Sequence, residues 1–208
     1  MGGIPVLILG KSGSGKSTSL RNFETDEIAL INVSRKPLPF KKKFEKTLKS
    51  DNYEIIETAI KETDKNSIVV DDAGYLIVNQ FMSGHSSSGA GNAIFQFYNK
   101  IADSFWNLIE RIKDLPENKI VYVIMHEHVD DYGNQKPKTI GKLLDEKVCI
   151  EGMFTICLRA IKEDNGYFFR TQTDGLCISK SPFQMFDNVL INNDLKLVDT
   201  AIRDYYEI

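Results

Sequence analysis

The stretch LILGKSGSGKSTSLRNF, residues 7–23, decides the fold. An apolar run ends at Gly10, eight residues fit G-x-x-x-x-G-K-[ST] from Gly10 to Ser17, and an amphipathic, helix-like segment follows. A buried strand, a glycine-rich turn and a helix start, in that order, make the loop that wraps phosphate groups. Gly10, Gly13 and Gly15 permit backbone angles and a close approach that a Cβ would block. The loop Gly10, Lys11, Ser12, Gly13, Ser14, Gly15, Lys16, Ser17, Thr18 can then turn its amides inward as an anion nest at a helix N-terminus. Lys16 is placed to reach the β- and γ-phosphates of a nucleotide, and the Ser17 hydroxyl to take a position on Mg²⁺. Lys11 and Thr18 are further phosphate contacts of this reading.

Such a site needs an acid at the end of a second apolar strand, and SIVVDDAGYL (67–76) supplies two. Asp71 is the expected Mg²⁺ residue. Asp72 stands where P-loop ATPases place the acid that polarises the attacking water, with a helix cap as the alternative role. A third strand, KIVYVIM (119–125), ends in His126, the expected sensor of the γ-phosphate; the alternative is a structural hydrogen bond at the strand end. His126, His128 and Asp130 alternate along the chain but lack the H-E-x-x-H spacing of a metal site.

Working outward, strand-like runs at 4–9, 27–33, 67–71, 119–125 and 152–161 alternate with helical patterns. That alternation predicts an α/β fold, a mostly parallel sheet flanked by helices. Ile55, Ile56, Ala59 and Ile60 share one face of a helix over 52–62. Ile94, Phe97, Ile101, Phe105, Leu108 and Ile112 form one stripe over 93–115, read as core. The segment 166–181 reads as a β-hairpin turning at Thr173-Asp174-Gly175, and 82–92, rich in Gly and Ser, as a mobile loop. The tail 192–206 reads as a capped closing helix striped by Leu195, Val198, Ile202 and Tyr205.

The 208 residues suit one domain, 1–208, with ordinary hydrophobic (42%) and charged (26%) content. No apolar run approaches the roughly 18 to 20 residues of a membrane span, and MGGIPVLILG reads as a first strand, not a signal peptide. Cys149, Cys157 and Cys177 form no CxxC pair and read as reduced thiols of a cytoplasmic protein. The net charge of −3 is uneven: residues 1–50 carry ten Lys and Arg against four Asp and Glu, leaving −9 for the remainder. Seven of those cations lie in SRKPLPFKKKFEKTLK (34–49), with Phe40 and Phe44 between them. Lysines on phosphates and rings under bases are what a single-stranded DNA binder uses. The alternative is a solvated loop whose phenylalanines enter the core.

Other P-loop classes fare worse. Asp71-Asp72-Ala73-Gly74 spells D-x-x-G, but the Asn-Lys pairs at Asn99 and Asn118 lack the Asp that reads guanine. Arg159, Arg170 and Arg203 are scattered, whereas a nucleotide kinase clusters arginines in a lid. Binding and hydrolysis of ATP is the better class; the alternatives are a module whose conformation ATP sets for a protein partner and, behind it, a nucleotide kinase.

Together, LILGKSGSGKSTSLRNF, INVSRKPLPFKKKF, IVVDDAGYL, VYVIMHEH, KPKTIGKLLDEKVCIEGMF, RTQTDG with KSPFQMF, and NNDLKLVDTAIRDYY resemble phage-encoded AAA-type ATP-binding proteins of replication and recombination modules. These are similar to the ATPase core of RecA-like recombinases. The resemblance, over residues 4–206, implies a RecA/AAA-like sheet and ATP with Mg²⁺. It also implies oligomers with sites at subunit interfaces, a phage single-strand-binding protein as partner, and the cytoplasm of a bacterial host as location. It gives Gly10–Thr18 the phosphates, Asp71 the Mg²⁺ and His126 the sensor role. One departure is plain: the strand 27–33 runs into Ser34, where RecA recombinases carry a catalytic Glu, leaving Asp72 or Glu127 to activate water. Lys138, Lys142, Arg170 and Lys180 are candidates for a charge supplied in trans.

Overall fold

A computed structural model describes residues 2–89 and 91–208. Strand β1 (Ile4–Gly10) is buried along its whole length, as a strand covered on both faces must be. Parallel neighbours flank it on both sides, β5 (Ile120–Val129) and β7 (Ile156–Glu163). In register, Gly10 lies opposite His126 on β5. Beyond β5 come β4 (Ser67–Asp71), β2 (Ile28–Asn32) and β3 (Lys46–Leu48), all parallel. β5 is thus the added strand between the P-loop strand and the acid-bearing strand β4, which brings the C-terminal ends of all three together. Beyond β7 the sheet turns antiparallel through β8 (Gly166–Arg170) and β9 (Leu190–Asn192), while β6 (Gln135–Pro137) folds back on β5.

One face of the sheet is covered by α1 (Tyr53–Glu62), α2 (Gly74–Gly84) and α3 (Asn92–Lys113). Their buried residues, Ile56, Ile60, Leu76, Ile101, Phe105, Leu108 and Ile112, pack on Leu7, Leu9, Val121 and Val123. The opposite face takes α4 (Leu195–Tyr206), capped by the Asp194 carboxylate, with Leu195, Val198 and Ile202 against Val6, Tyr122 and Phe169. At that face Asp199 Oδ1 accepts from Ser67 Oγ (2.7 Å) and Tyr122 OH (2.8 Å), and Arg203 Nε donates to its Oδ2 (2.8 Å). No helix among the described residues is long and apolar enough to cross a membrane.

Several local expectations change. The segment after the phosphate loop is a six-residue 3-10 helix, Ser17–Asn22, not an α-helix. It stops early because Phe23 turns into the core while Arg21 and Asn22 bond to Asn193 O and Asp194 Oδ2. The expected hairpin within 166–181 is replaced: β8 pairs with β7 and β9, so its hydrogen-bonding edges are taken. The turn at Thr173–Cys177 does form, with the Asp174 carboxylate accepting from the Leu176 and Cys177 amides, but Lys180 makes only one bridge, to Cys157. Within 82–92, α2 runs on to Gly84 and α3 begins at Asn92, while Ala90 lies outside the described residues. Ile55 (50% exposed) and Tyr205 (43%) fall off the buried stripes assigned to them.

Phe44 is buried and Phe40 packs beside it against the same core, the rings edge to face at 6.4 Å. The rings of the basic stretch are therefore core, since burying them removes apolar surface from water. Lys42 is also committed, its ammonium bonding the carbonyls of Arg21 and Phe23.

Candidate functional site

The loop after β1 closes on itself. The Ser14 amide donates to Lys11 O (3.2 Å) and the Ser19 amide to Gly15 O (3.0 Å). Gly13 (φ +77°) and Gly15 (φ +93°) hold the left-handed backbone this path needs. A side chain on Gly10 would meet Ser14 Oγ and Ala160 O at 2.4 and 2.6 Å, so that glycine is required for close packing. Lys16, 6% exposed, reaches back across the cradle and donates to Gly10 O (2.9 Å) and Lys11 O (2.8 Å). Burial lowers its pKa, opposed by the nearby charges of Asp72, Asp71 and Glu127.

Ser17 and Asp71 meet directly. Ser17 Oγ donates to Asp71 Oδ1 at 2.9 Å, joining the start of the 3-10 helix to the end of β4. Burial, with the charge of Asp72 added, pushes the Asp71 carboxyl up to about 6. A hydroxyl and a buried carboxylate are hard oxygen donors, the set that holds Mg²⁺ together with phosphate and water. Among the described residues no group of three or more His, Cys, Asp and Glu is placed to hold a metal by itself. The donors thus fit an ion bound jointly with a phosphorylated ligand. Asp130 instead closes a turn, accepting from the Tyr132 and Asn134 amides.

Asp72 leaves β4 in a left-handed conformation (φ +59°) that turns its carboxylate back over the strand ends. His126 Nε2 stands 3.5 Å from Oδ1, and Lys36 Nζ 3.5 Å from Oδ2. The hydrogen bond from His126, helped by Ser34 and Lys36, holds the Asp72 carboxyl well below the usual range and outweighs its partial burial. The helix-cap alternative fails: α2 follows Ala73 with no side-chain cap. Glu127, the other possible base, has a fully buried side chain gripped by Arg159 through Nε (2.7 Å) and Nη2 (2.9 Å). That bidentate pair closes Glu127 to water.

The structure therefore gathers Lys16, Ser17, Asp71 and Asp72 at the C-terminal ends of β1 and β4 with His126 beside them on β5, which runs on to Val129 past the strand end expected at His126. Lys11, Ser12 and Gly13 form the exposed lip of the loop, with Thr18 half-buried at its end. Lys138 and Lys142 are exposed beyond β6, Arg170 lies 3.8 Å from Asp174, and Lys180 takes part in the bridge to Cys157. Ser34 and Lys36 beside Asp72, and Tyr167 and Asn193 beside Gly15, complete the surroundings. No motif marks Tyr167 or Asn193; the basic stretch pointed toward Ser34 and Lys36 without giving them a place beside Asp72.

The chain matches the model of the AAA domain over residues 3–183 and belongs to that family, one of AAA-type P-loop ATPases. No curated protein matches it.

Proposed function

We propose that this protein binds ATP with Mg²⁺ at residues Gly10–Thr18 and hydrolyses it to ADP and phosphate in phage DNA recombination or replication, on or near single-stranded DNA. The observation that carries the nucleotide reading is the Ser17–Asp71 hydrogen bond beside the buried Lys16 ammonium. Lys16 exchanges its two loop carbonyls for β- and γ-phosphate oxygens, a charge-assisted gain. Ser17 and Asp71 would hold Mg²⁺ together with the phosphates, and the ion would supply positive charge against the oxygens in transfer. Asp72, anionic at neutral pH, orients a water by accepting its hydrogen bond, and His126 faces the same space as donor to the γ-phosphate.

The DNA part rests on the exposed cations of residues 34–49 and on the resemblance described above; with Phe44 buried and Phe40 half-buried against it, phosphate contact carries it more than base stacking. A single-strand-binding protein and further copies of this chain belong to the same proposal. A second reading, a module whose shape is set by ATP for a protein partner, is favoured by one observation. Lys36 and His126 both engage Asp72, which opposes turnover until something releases it. The test is ATP hydrolysis with Mg²⁺, with and without single-stranded DNA, against Lys16→Ala. Turnover that DNA stimulates and the variant lacks supports the proposal. ATP binding without turnover in either condition supports the second reading instead.

A further inference from the structure

The γ-phosphate side of the loop is marked by charge. Asp71 ends β4, Asp72 follows it, and His126 lies on β5 opposite Gly10, all on one flank of β1. A triphosphate is a linear group, so with its γ end turned to that flank its nucleoside must leave on the other. There the sheet continues through β7 and β8, whose connecting turn rises at the same end as the phosphate loop because β7 runs parallel to β1.

The second residue of β8 is Tyr167, 43% exposed. A Cβ built on Gly15 would lie 2.9 Å from Tyr167 Cδ1, so only a glycine lets the ring rest against the loop. Lys162, opposite Tyr167 in register, holds its ammonium 5.8 Å from the ring centroid, a loose contact that a stacked ring can replace. A second group stands at the same glycine. Asn193 is 1% exposed, its Oδ1 3.2 Å from that Cβ position, and its Nδ2 is buried without a hydrogen-bond partner. The Asn193 backbone is fixed on both sides, its amide donating to Tyr167 O (3.2 Å) and its carbonyl accepting from Arg21 Nη1 (2.7 Å).

We infer that Tyr167 forms the subsite for the base of the nucleotide, the ring stacking on a purine, with the buried Asn193 holding the strand of Tyr167 against the loop through its backbone amide. This rests on the nucleotide reading above and adds which end of the ligand lies where. Stacking on an aromatic ring reads a π-face and not a hydrogen-bonding edge, in keeping with the missing guanine motif.

Calorimetric titration with Mg²⁺ plus either ATP or inorganic tripolyphosphate separates the two ends of the ligand. Tyr167→Ala is expected to weaken ATP about ten-fold, the loss of one stacked base, and to leave tripolyphosphate unchanged. Tyr167→Phe, which keeps the ring, is expected to bind ATP as the wild type does. Unchanged ATP affinity in Tyr167→Ala overturns the inference, as does an equal loss for both ligands, which would mean the ring only shapes the loop. In either case wild-type binding leaves the nucleotide reading standing. A wild type that binds neither ligand defeats that reading and the inference together.

Discussion

Ser17 Oγ and Asp71 Oδ1, 54 residues apart in sequence, are joined by a hydrogen bond of 2.9 Å. The pair fixes the start of the 3-10 helix to the end of β4, and so sets the distance between the phosphate loop and the acids. Because Asp71 is buried and pushed up to about 6, this contact has a direct consequence in pH.

In the proposed site, Mg²⁺ would compete with a proton for Asp71. Binding of MgATP is expected to weaken as pH falls through about 6, while metal-free ATP, held by Lys16 and the loop amides, changes less. Titrations at pH 5.5 and 7.5, with Mg²⁺ and with EDTA, check this.

The same group has a signature in the stability of the free protein. Its folded pKa lies above the unfolded carboxyl value near 3.8, so the native state binds more protons between about pH 4 and 6. This contribution stabilises the fold as pH falls through that window and is lost above it. The change is of the order of 3 kcal/mol. Urea melts of wild type and Asp71→Asn should diverge over that range, with the variant insensitive to this term and the more stable of the two at pH 7.

Lys16→Ala is expected to weaken ATP roughly ten- to a hundred-fold by removing charge-assisted hydrogen bonds. Its fold should persist, because Lys16 touches only the carbonyls of its own loop and no core side chain depends on it. Circular dichroism beside a binding isotherm reads both. An unfolded variant would contradict the assignment of Lys16 to the ligand.

On the face away from the loop, Asp199 joins Ser67, Tyr122 and Arg203 at the seam between α4 and the sheet. Asp199→Ala leaves those donors short of their acceptor and is expected to cost about 2–4 kcal/mol. Tyr122→Phe, which removes a single buried bond, should cost about 1 kcal/mol. Urea denaturation measures both, and MgATP binding should be retained in each, since neither residue approaches the phosphate loop.

The phosphate loop, the acid pair and the strand carrying His126 are legible in the sequence because each is local. The loop is a contiguous motif, and Lys16 bonds only carbonyls five and six residues before it. Asp71 and His126 close apolar runs that can only be buried parallel strands, so their side chains arrive at one end of the sheet. What escaped depends on partners distant in sequence. The length of the 3-10 helix is set by Asn193 and Asp194, which no local pattern reveals. The 166–181 segment carries a true turn signal, yet β8 pairs with strands on either side of it. Phe40 and Phe44 alternate with lysines as a nucleic-acid surface would, but the strand-edge geometry turns them inward. Glu127 reads as a spare acid until Arg159, from β7, is seen to hold it.

The measurement that tests the account most directly is phosphate release from MgATP by Asp72→Asn, with ATP binding measured on the same samples. Of the two candidate bases, Asp72 is the one not locked in the bidentate pair that holds Glu127, so turnover should fall about a hundred-fold or more while ATP affinity stays near the wild type. Turnover equal to the wild type, at equal binding, would contradict it.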